Sequence, residues 1–416
     1  MNFKFLSRTS VLLGLFGVTT ASVFAQPTSS DLSNIGTATI TTSVPFLMIN
    51  PSARWGSLGD IGVSTEADAA SMHYNVGKLA HAPKDMSFDV SYSPWLRALV
   101  PDINLAYLGF YKKVGNRTAI GGSIRYFSLG DITFTDMSGN TIGNYNPNEF
   151  SLDVGASLKL SEYWSGGISF KFIYSNLTLG QYVNGQATNP GLAGGGDIGF
   201  FFQNPDKKLF KKPVTWRFGF AINNIGSKIK YSDAQANGDF IPTNLRIGAG
   251  AQLELDKFNS LSWHVEIAKL LVPSNPIYDK DSNGYVKTDA QGNPMILYGM
   301  DPNRNTFTAM FTSFGDSPYG FVGEMSEINI STGVEYWYNK LLRVGVGFFY
   351  ETPSAGNRQF FTLGAGVRYK VFGLDFSYLI PTRQRNPLEN TLRFTLSFHF
   401  DKFGKGKKKE KVVGDK

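Results

Sequence analysis

Four histidines, His73, His81, His264 and His399, are the chain's whole supply of imidazole, and it contains no cysteine. Thiolate zinc sites, disulfides and cysteine nucleophiles are therefore excluded. There is no His-Glu-x-x-His pair, phosphate loop or Gly-x-Ser-x-Gly elbow. A serine triad would have to assemble in space from distant segments. The best metal-like pattern is Asp279-Lys280-Asp281-Ser282-Asn283-Gly284. Asp279, Asp281 and Asn283 supply oxygens at positions 1, 3 and 5, with glycine at 6, as in a calcium loop. Position 12 is Ala290, so the bidentate carboxylate is missing, and Asp289 stands one residue early. A plain turn of Asp, Asn and Gly accounts for the same residues. No resident metal and no cofactor is expected.

The other charged residues fall into a pattern only when their neighbours are considered. In Leu392-Arg393-Phe394-Thr395-Leu396-Ser397-Phe398-His399-Phe400 one parity is apolar and the other polar. Side chains alternate faces along a strand, so this segment has an oily face and a wet face. The alternation recurs at 150–160, 168–174, 214–222, 245–255, 261–267, 328–336, 342–350, 361–369 and 372–378, and less cleanly near 86–93, 104–113, 117–129 and 195–203. About fourteen strands result, an even number as single-chain bacterial barrels require. The links alternate too. Short turns such as Gly115-Asn116 and Ser161-Glu162 face long loops at 130–147, 178–194, 224–243 and 269–326. One link on the short side, 204–213, reads as longer and lysine-rich. A soluble β-sandwich explains the alternation but not this ordering. The reading is all-β: a 14-stranded antiparallel transmembrane outer-membrane β-barrel with an N-terminal plug segment. Arg125, Lys171, Arg217, Arg246, Glu254, Glu266, Glu335, Arg343, Arg368, Asp375 and Arg393 then fall on inward parities. Both signs occur, so they can pair across the lumen, and their simplest role is to fill and stiffen it.

Hydrophobic residues make up 42% and charged residues 18%, with 45 glycines and 34 phenylalanines. These proportions suit crowded sheets bearing aromatic girdles. Residues 1–25 read as a secretory signal: Lys4 and Arg8, an apolar core, then Val23-Phe24-Ala25. Residues 26–85 are the plug, 86–400 the barrel and 401–416 a basic, disordered periplasmic tail. The net charge of +7 lies mostly in the two ends, +2 in 1–25 and +4 in 401–416. The nearly neutral body gives no support to nucleic-acid binding. The longest loop, 269–326, carries Ile296, Leu297, Tyr298, Phe307, Met310, Phe311 and Phe314. Exposed on the outer surface, these would suit docking to a partner. Folded back, they would form a lid.

Residues 46–80 carry a specific pattern: Phe46-Leu47-Met48-Ile49-Asn50-Pro51-Ser52-Ala53-Arg54, Gly59-Asp60-Ile61-Gly62, and Ala67 through Ala80. It resembles the N-terminal plug of FadL-like barrels, most closely the PorV group of the type IX secretion system. The plug motif falls on Asn50, Pro51, Arg54, Gly59 and Asn75. The group typically has Asn-Pro-Ala where this chain has Asn75-Val76-Gly77. Ser93-Pro94-Trp95-Leu96-Arg97 also resembles the group at its first extracellular loop, which adds Trp95, Leu96 and Arg97 as partner-binding candidates. The resemblance implies a cell outer-membrane barrel with long loops extracellular, non-enzymatic, that works in protein export. Its implied partners are outer-membrane lipid, an SprA-type translocon barrel, a PorU/PorZ/PorQ-type attachment complex and secreted cargo with C-terminal sorting domains. Two alternatives stand beside it: a FadL-like transporter of long-chain fatty acids or other hydrophobic small molecules, and an outer-membrane enzyme acting on lipid.

Overall fold

A computed structural model describes residues 39–401, apart from 98, 99, 101, 136, 137, 181, 184, 185, 234, 236 and 384–386. The signal at 1–25 and the tail beyond 401 lie outside the described residues. The first five strands are β1 (Met86–Pro94), β2 (Asn104–Val114), β3 (Thr118–Ser128), β4 (Asn148–Lys159) and β5 (Trp164–Asn176). Then come β6 (Gly191–Leu209), β7 (Lys212–Gly226), β8 (Asn244–Glu254), β9 (Asn259–Leu270) and β10 (Asn329–Tyr338). The series ends with β11 (Leu342–Tyr350), β12 (Gln359–Tyr369), β13 (Phe372–Pro381) and β14 (Leu392–Phe400). Each pairs antiparallel with the next, and β1 pairs β14 from Met86↔Phe400 to Tyr92↔Phe394, closing a 14-stranded barrel.

The alternation read in the sequence is the alternation of faces. On β14, Phe394 and Leu396 point outward and are exposed, while Arg393, Thr395 and Ser397 are buried inward. The outer face carries cross-strand aromatic pairs such as Phe88–Phe110 and Phe202–Phe218, the unit by which neighbouring strands hold register. A lysine or arginine at mid-height on such a face costs about 2–4 kcal/mol in a bilayer. This explains why the strands' charged residues at mid-height take the inward parity, while outward Lys112 sits near a strand end.

The links divide as expected, with one difference. Between β6 and β7 the ladder does not open into a loop at 204–213. It continues to Leu209↔Lys212, and only Phe210 and Lys211 make the turn. A register shift between Asn204 and Lys207 takes up Pro205, which has no N–H to give the ladder. The prolines and lysines that read as a loop are a hairpin standing proud of the neighbouring turns. Phe210, Lys211, Asn339, Lys340 and Lys370 have φ between 51° and 65° on this side. A non-glycine residue there costs roughly 1–2 kcal/mol. On the opposite rim the 269–326 loop forms a small hairpin (Ile277–Tyr278 with Ile296–Tyr298) and two short helices, Thr306–Thr312 and Gly320–Ser326.

Residues 44–82 occupy the interior. They contain only short helical turns, Pro45–Met48, Ala53–Gly56, Ser71–Tyr74 and Val76–His81. Most of their side chains are buried. One apolar cluster joins Val44, Phe46 and Leu47 to Leu105, Phe127, Ile173 and Ile241. A second joins Met72, Val76 and Leu79 to Tyr111 and Ala119 on β2 and β3.

Candidate functional site

A buried segment with so little regular structure must satisfy its backbone elsewhere, and here the barrel's inward side chains do it. Thr395 Oγ1 accepts from the Ala53 N–H at 2.9 Å, and Thr362 Oγ1 from the Gly59 N–H at 2.9 Å. Glu266 Oε2 accepts from both Gly62 and Val63, at 2.7 and 2.9 Å. Ser157 and Ser165 donate to the Gly77 carbonyl at 2.7 and 2.6 Å. Arg125 donates to the carbonyls of Phe46 and Leu47.

The plug-motif residues occupy the joints of this arrangement. Asn50 donates to Asp60 at 2.7 Å and accepts from the Ser52 N–H and the Tyr74 hydroxyl, tying three parts of the segment together. Pro51 is buried beside it. Arg54 makes a two-pronged bond to Glu335 on β10, 2.9 Å at each prong, and reaches Glu66 at 3.1 Å. Its guanidinium lies over the Trp55 ring at 4.2 Å and the Trp337 ring at 5.2 Å. Burial pulls the Arg54 pKa down, but Glu335 and Glu66 outweigh it and hold the group above its ordinary value. Gly59 has φ +79°, and a Cβ there would sit 2.5 Å from the Phe348 carbonyl oxygen. Asn75 donates to the Val63 and Phe200 carbonyls, each at 3.0 Å. Gly77 lies so close to Gly199 that a Cβ would fall 2.6 Å from its carbonyl oxygen.

The inward charges pair along the wall or with the segment, which fills the space between opposite walls. Their wall partners lie on the next strand or, for Arg343 on β11 and Asp375 on β13, on the next but one. Arg343 reaches Asp375 at 3.0 Å and Glu335 at 3.5 Å, and Arg246 reaches Glu266 at 2.9 Å. Arg393 meets Asp60 of the segment at 2.7 Å. Lys171 bridges Asp197 and Asp153. His73 Nδ1 accepts from the Arg125 guanidinium at 2.6 Å, and His399 contacts Ser87 at 2.9 Å. The Nδ1 of His264 has no hydrogen-bond partner among the described residues.

Lys78 was not singled out in the sequence. It is fully buried and donates to the Gly62 carbonyl and to Thr65 Oγ1, both at 2.8 Å. Burial lowers its pKa to about 8, against the pull of Asp68 and Glu266. An unfolded lysine keeps its proton to about 10.4, so between these values the open segment binds more protons than the docked one. Docking is therefore expected to strengthen as pH rises from about 8 toward about 10.4. Hydrogen exchange of residues 60–66, corrected for intrinsic rate, checks this, and Lys78→Met should remove that slope.

The loop candidates separate into two groups. Phe307, Phe311 and Phe314 are 68%, 77% and 54% exposed, and Leu297 and Tyr298 are exposed beside them, with Ile296 half-buried. Met310 differs: it is buried, because it shares with Ala309 the inner face of helix Thr306–Thr312. Phe321 and Met325, absent from the sequence reading, are exposed on the next helix. Their spacing of four was the available signal. Asn305 caps the first helix through Thr308. Lys269 holds the second through Glu324 at 3.0 Å and through Glu327, and Arg304 and Ser274 converge on Asp316. The second helix lies against outward-facing Leu245, Ile247 and Ile267, leaving an apolar crevice of about 230 Å³. It thus flanks the barrel and is not a lid. In the first loop Arg97 is exposed, but Trp95 and Leu96 turn inward and pack on Phe360, Leu379 and Leu388. They wall a vestibule of about 350 Å³ whose floor includes Asp60 and Arg393.

The carboxylates of the calcium-like loop are engaged. Asp279 pairs with Lys287 at 2.9 Å, and Asp281 accepts from the N–H groups of Asn283 and Tyr285. This is the turn that Asp, Asn and Gly build by themselves. Asn283 occupies the turn between them. Among the described residues no three His, Asp or Glu side chains are placed to hold a metal ion.

Three solved structures are similar at low identity. The toluene transporter TbuX of Ralstonia pickettii is 12% identical with a TM-score of 0.41, over 85% of this chain and 98% of that one. The toluene transporter TodX of P. putida is 9% identical with a TM-score of 0.45, over 84% and 98%. A Pseudomonas aeruginosa FadL homologue is 12% identical with a TM-score of 0.39, over 88% and 100%. No curated protein matches the chain. The family described as type IX secretion system protein PorV matches residues 33–277. That match covers more than half of the 416 residues, including the segment that fills the lumen and nine of the strands around it, and the chain belongs to the PorV family of outer-membrane type IX secretion proteins.

Proposed function

We propose that this barrel binds an SprA-type translocon barrel and carries cargo with C-terminal sorting domains to a PorU/PorZ/PorQ-type attachment complex. Residues 1–25 then direct export and 26–85 plug the lumen. The observation that carries the reading is the exposed aromatic face of Phe307, Phe311, Phe314 and Phe321 on the loop-side rim. Two short helices cannot hold such a face by themselves, and the Lys269–Glu324–Glu327 base fixes it in place. Rigid aromatics on a fixed base are the usual anchors of a protein interface. The family is one of secretion barrels, and no enzymatic step is assigned. The test is capture of a very large barrel by the tagged protein from native membranes. Phe307→Ser/Phe311→Ser/Phe321→Ser should abolish it while the barrel still migrates as folded on unheated gels. Unchanged capture, or normal cargo secretion in a deletion strain, would sink the proposal.

The vestibule favours a second reading, a FadL-like transporter. Its walls include Phe46, Ile49, Trp95 and Phe349, with Arg393 at the floor, a suitable seat for an amphipathic acid. A deletion strain that loses growth on long-chain fatty acids but secretes normally would select it.

A further inference from the structure

The short-turn rim is basic in a way that the barrel's architecture does not require. Lys207, Lys208, Lys211 and Lys212 are all exposed on the projecting β6–β7 hairpin, and Phe210 at its tip is 82% exposed. Around the rim Lys257 lies 5.8 Å from the Phe258 ring and Lys370 5.2 Å from the Tyr369 ring. Lys211, Lys340 and Lys370 hold left-handed turn positions that glycine or asparagine would fill at less strain. The nearby exposed carboxylates, Glu162, Asp206 and Asp256, keep their charge but are outnumbered by these seven exposed lysines. The opposite rim is mixed, exposing Asp281, Asp289 and Asp301 together with Lys280 and Lys287.

Aromatic rings interleaved with lysines at the edge of an apolar belt mark headgroup level, and the sign of the charge selects the headgroup. Short turns of outer-membrane barrels face the periplasm. We propose that this rim, led by the β6–β7 hairpin, seats anionic phospholipid headgroups of the inner leaflet. The surface is continuous with the barrel's lipid-facing wall, so its occupant is lipid. Lysines near a charged leaflet attract it over a Debye length, and salt weakens the attraction.

The test uses the full-length barrel in phosphatidylcholine vesicles containing spin-labelled phosphatidylglycerol or spin-labelled phosphatidylcholine. The wild type should hold the glycerol lipid severalfold more strongly, and salt should erase most of the difference. Lys207→Gln/Lys208→Gln/Lys211→Gln/Lys212→Gln should bring the ratio close to unity, and the four lysine-to-arginine changes should retain it. Lys211→Asn/Lys340→Asn/Lys370→Asn separates charge from structure. Asparagine suits the left-handed turns, so this variant should fold at least as well yet prefer the glycerol lipid less. Equal binding of both lipids by the wild type, or a preference that survives the glutamine and asparagine changes, overturns the proposal. So does an absent lipid preference combined with cross-linking of the hairpin to an acidic periplasmic protein, which would make that protein the occupant.

Discussion

Replacing Glu335 by leucine is expected to weaken docking of the lumenal segment by about 3–5 kcal/mol, the range for breaking a buried ion pair. Glu335 is 2% exposed and accepts both prongs of Arg54, the Trp337 indole N–H at 2.8 Å, and Arg343 at 3.5 Å. Without it, Arg54 keeps only the half-exposed Glu66, and its charge is stranded between two indole rings. Arg343 is less affected because Asp375 remains at 3.0 Å. Replacing both partners, Arg54→Met with Glu335→Leu, should recover much of the loss, since the desolvation cost of the pair disappears with the pair. Hydrogen exchange of residues 53–66 in the folded barrel measures both variants. Equal protection in the wild type and the single variant would show that the ion pair does not hold the segment.

The barrel was legible in the sequence because a membrane imposes a strict rule on each strand. One parity must be apolar, and Leu392 to Phe400 obeys it residue by residue. The turn after Leu209 was misjudged for a local reason. Pro205 and four nearby lysines look like loop composition, and a bulge that absorbs a proline leaves no mark in the period. The site was half legible. Asn50, Arg54, Gly59 and Asn75 stood out through their motif. The wall groups that hold the segment's backbone, Thr395, Glu266, Thr362 and Ser157, are ordinary inward residues that nothing in the linear order connects to 53–80. Long-range pairing of an irregular segment has no period to read. The loop aromatics were visible as composition, but which of them face outward depends on helix phase, and Met310 fell on the inner side.

Inward-facing glycines were the clue that composition obscured. They look like relief of strand crowding, but several mark where the segment's backbone touches the wall. A Cβ at Gly347 of β11 would lie 2.0 Å from the Leu58 carbonyl carbon and 2.2 Å from the Gly59 nitrogen, where ordinary contact begins near 3.4 Å. The obstacle is backbone, so no rotamer change relieves it. Gly59 cannot back away cheaply either, since its own backbone abuts Phe348 and its N–H is bonded to Thr362. Gly347→Val is therefore expected to lift residues 56–62 off the wall at a cost of about 3 kcal/mol, the upper end for an overpacked core. The barrel should remain closed, because the outward face and the ladder to Thr362 are untouched. Protease added to the folded protein should then cut within 56–62 in Gly347→Val and not in the wild type. Gly194→Ala is the control, since a Cβ there meets nothing within 4 Å. If Gly347→Val resists cleavage as the wild type does, the close approach of Leu58 to β11 is not what fixes the segment, and its polar ties to the wall, Arg54–Glu335 and Asp60–Arg393 among them, hold it instead.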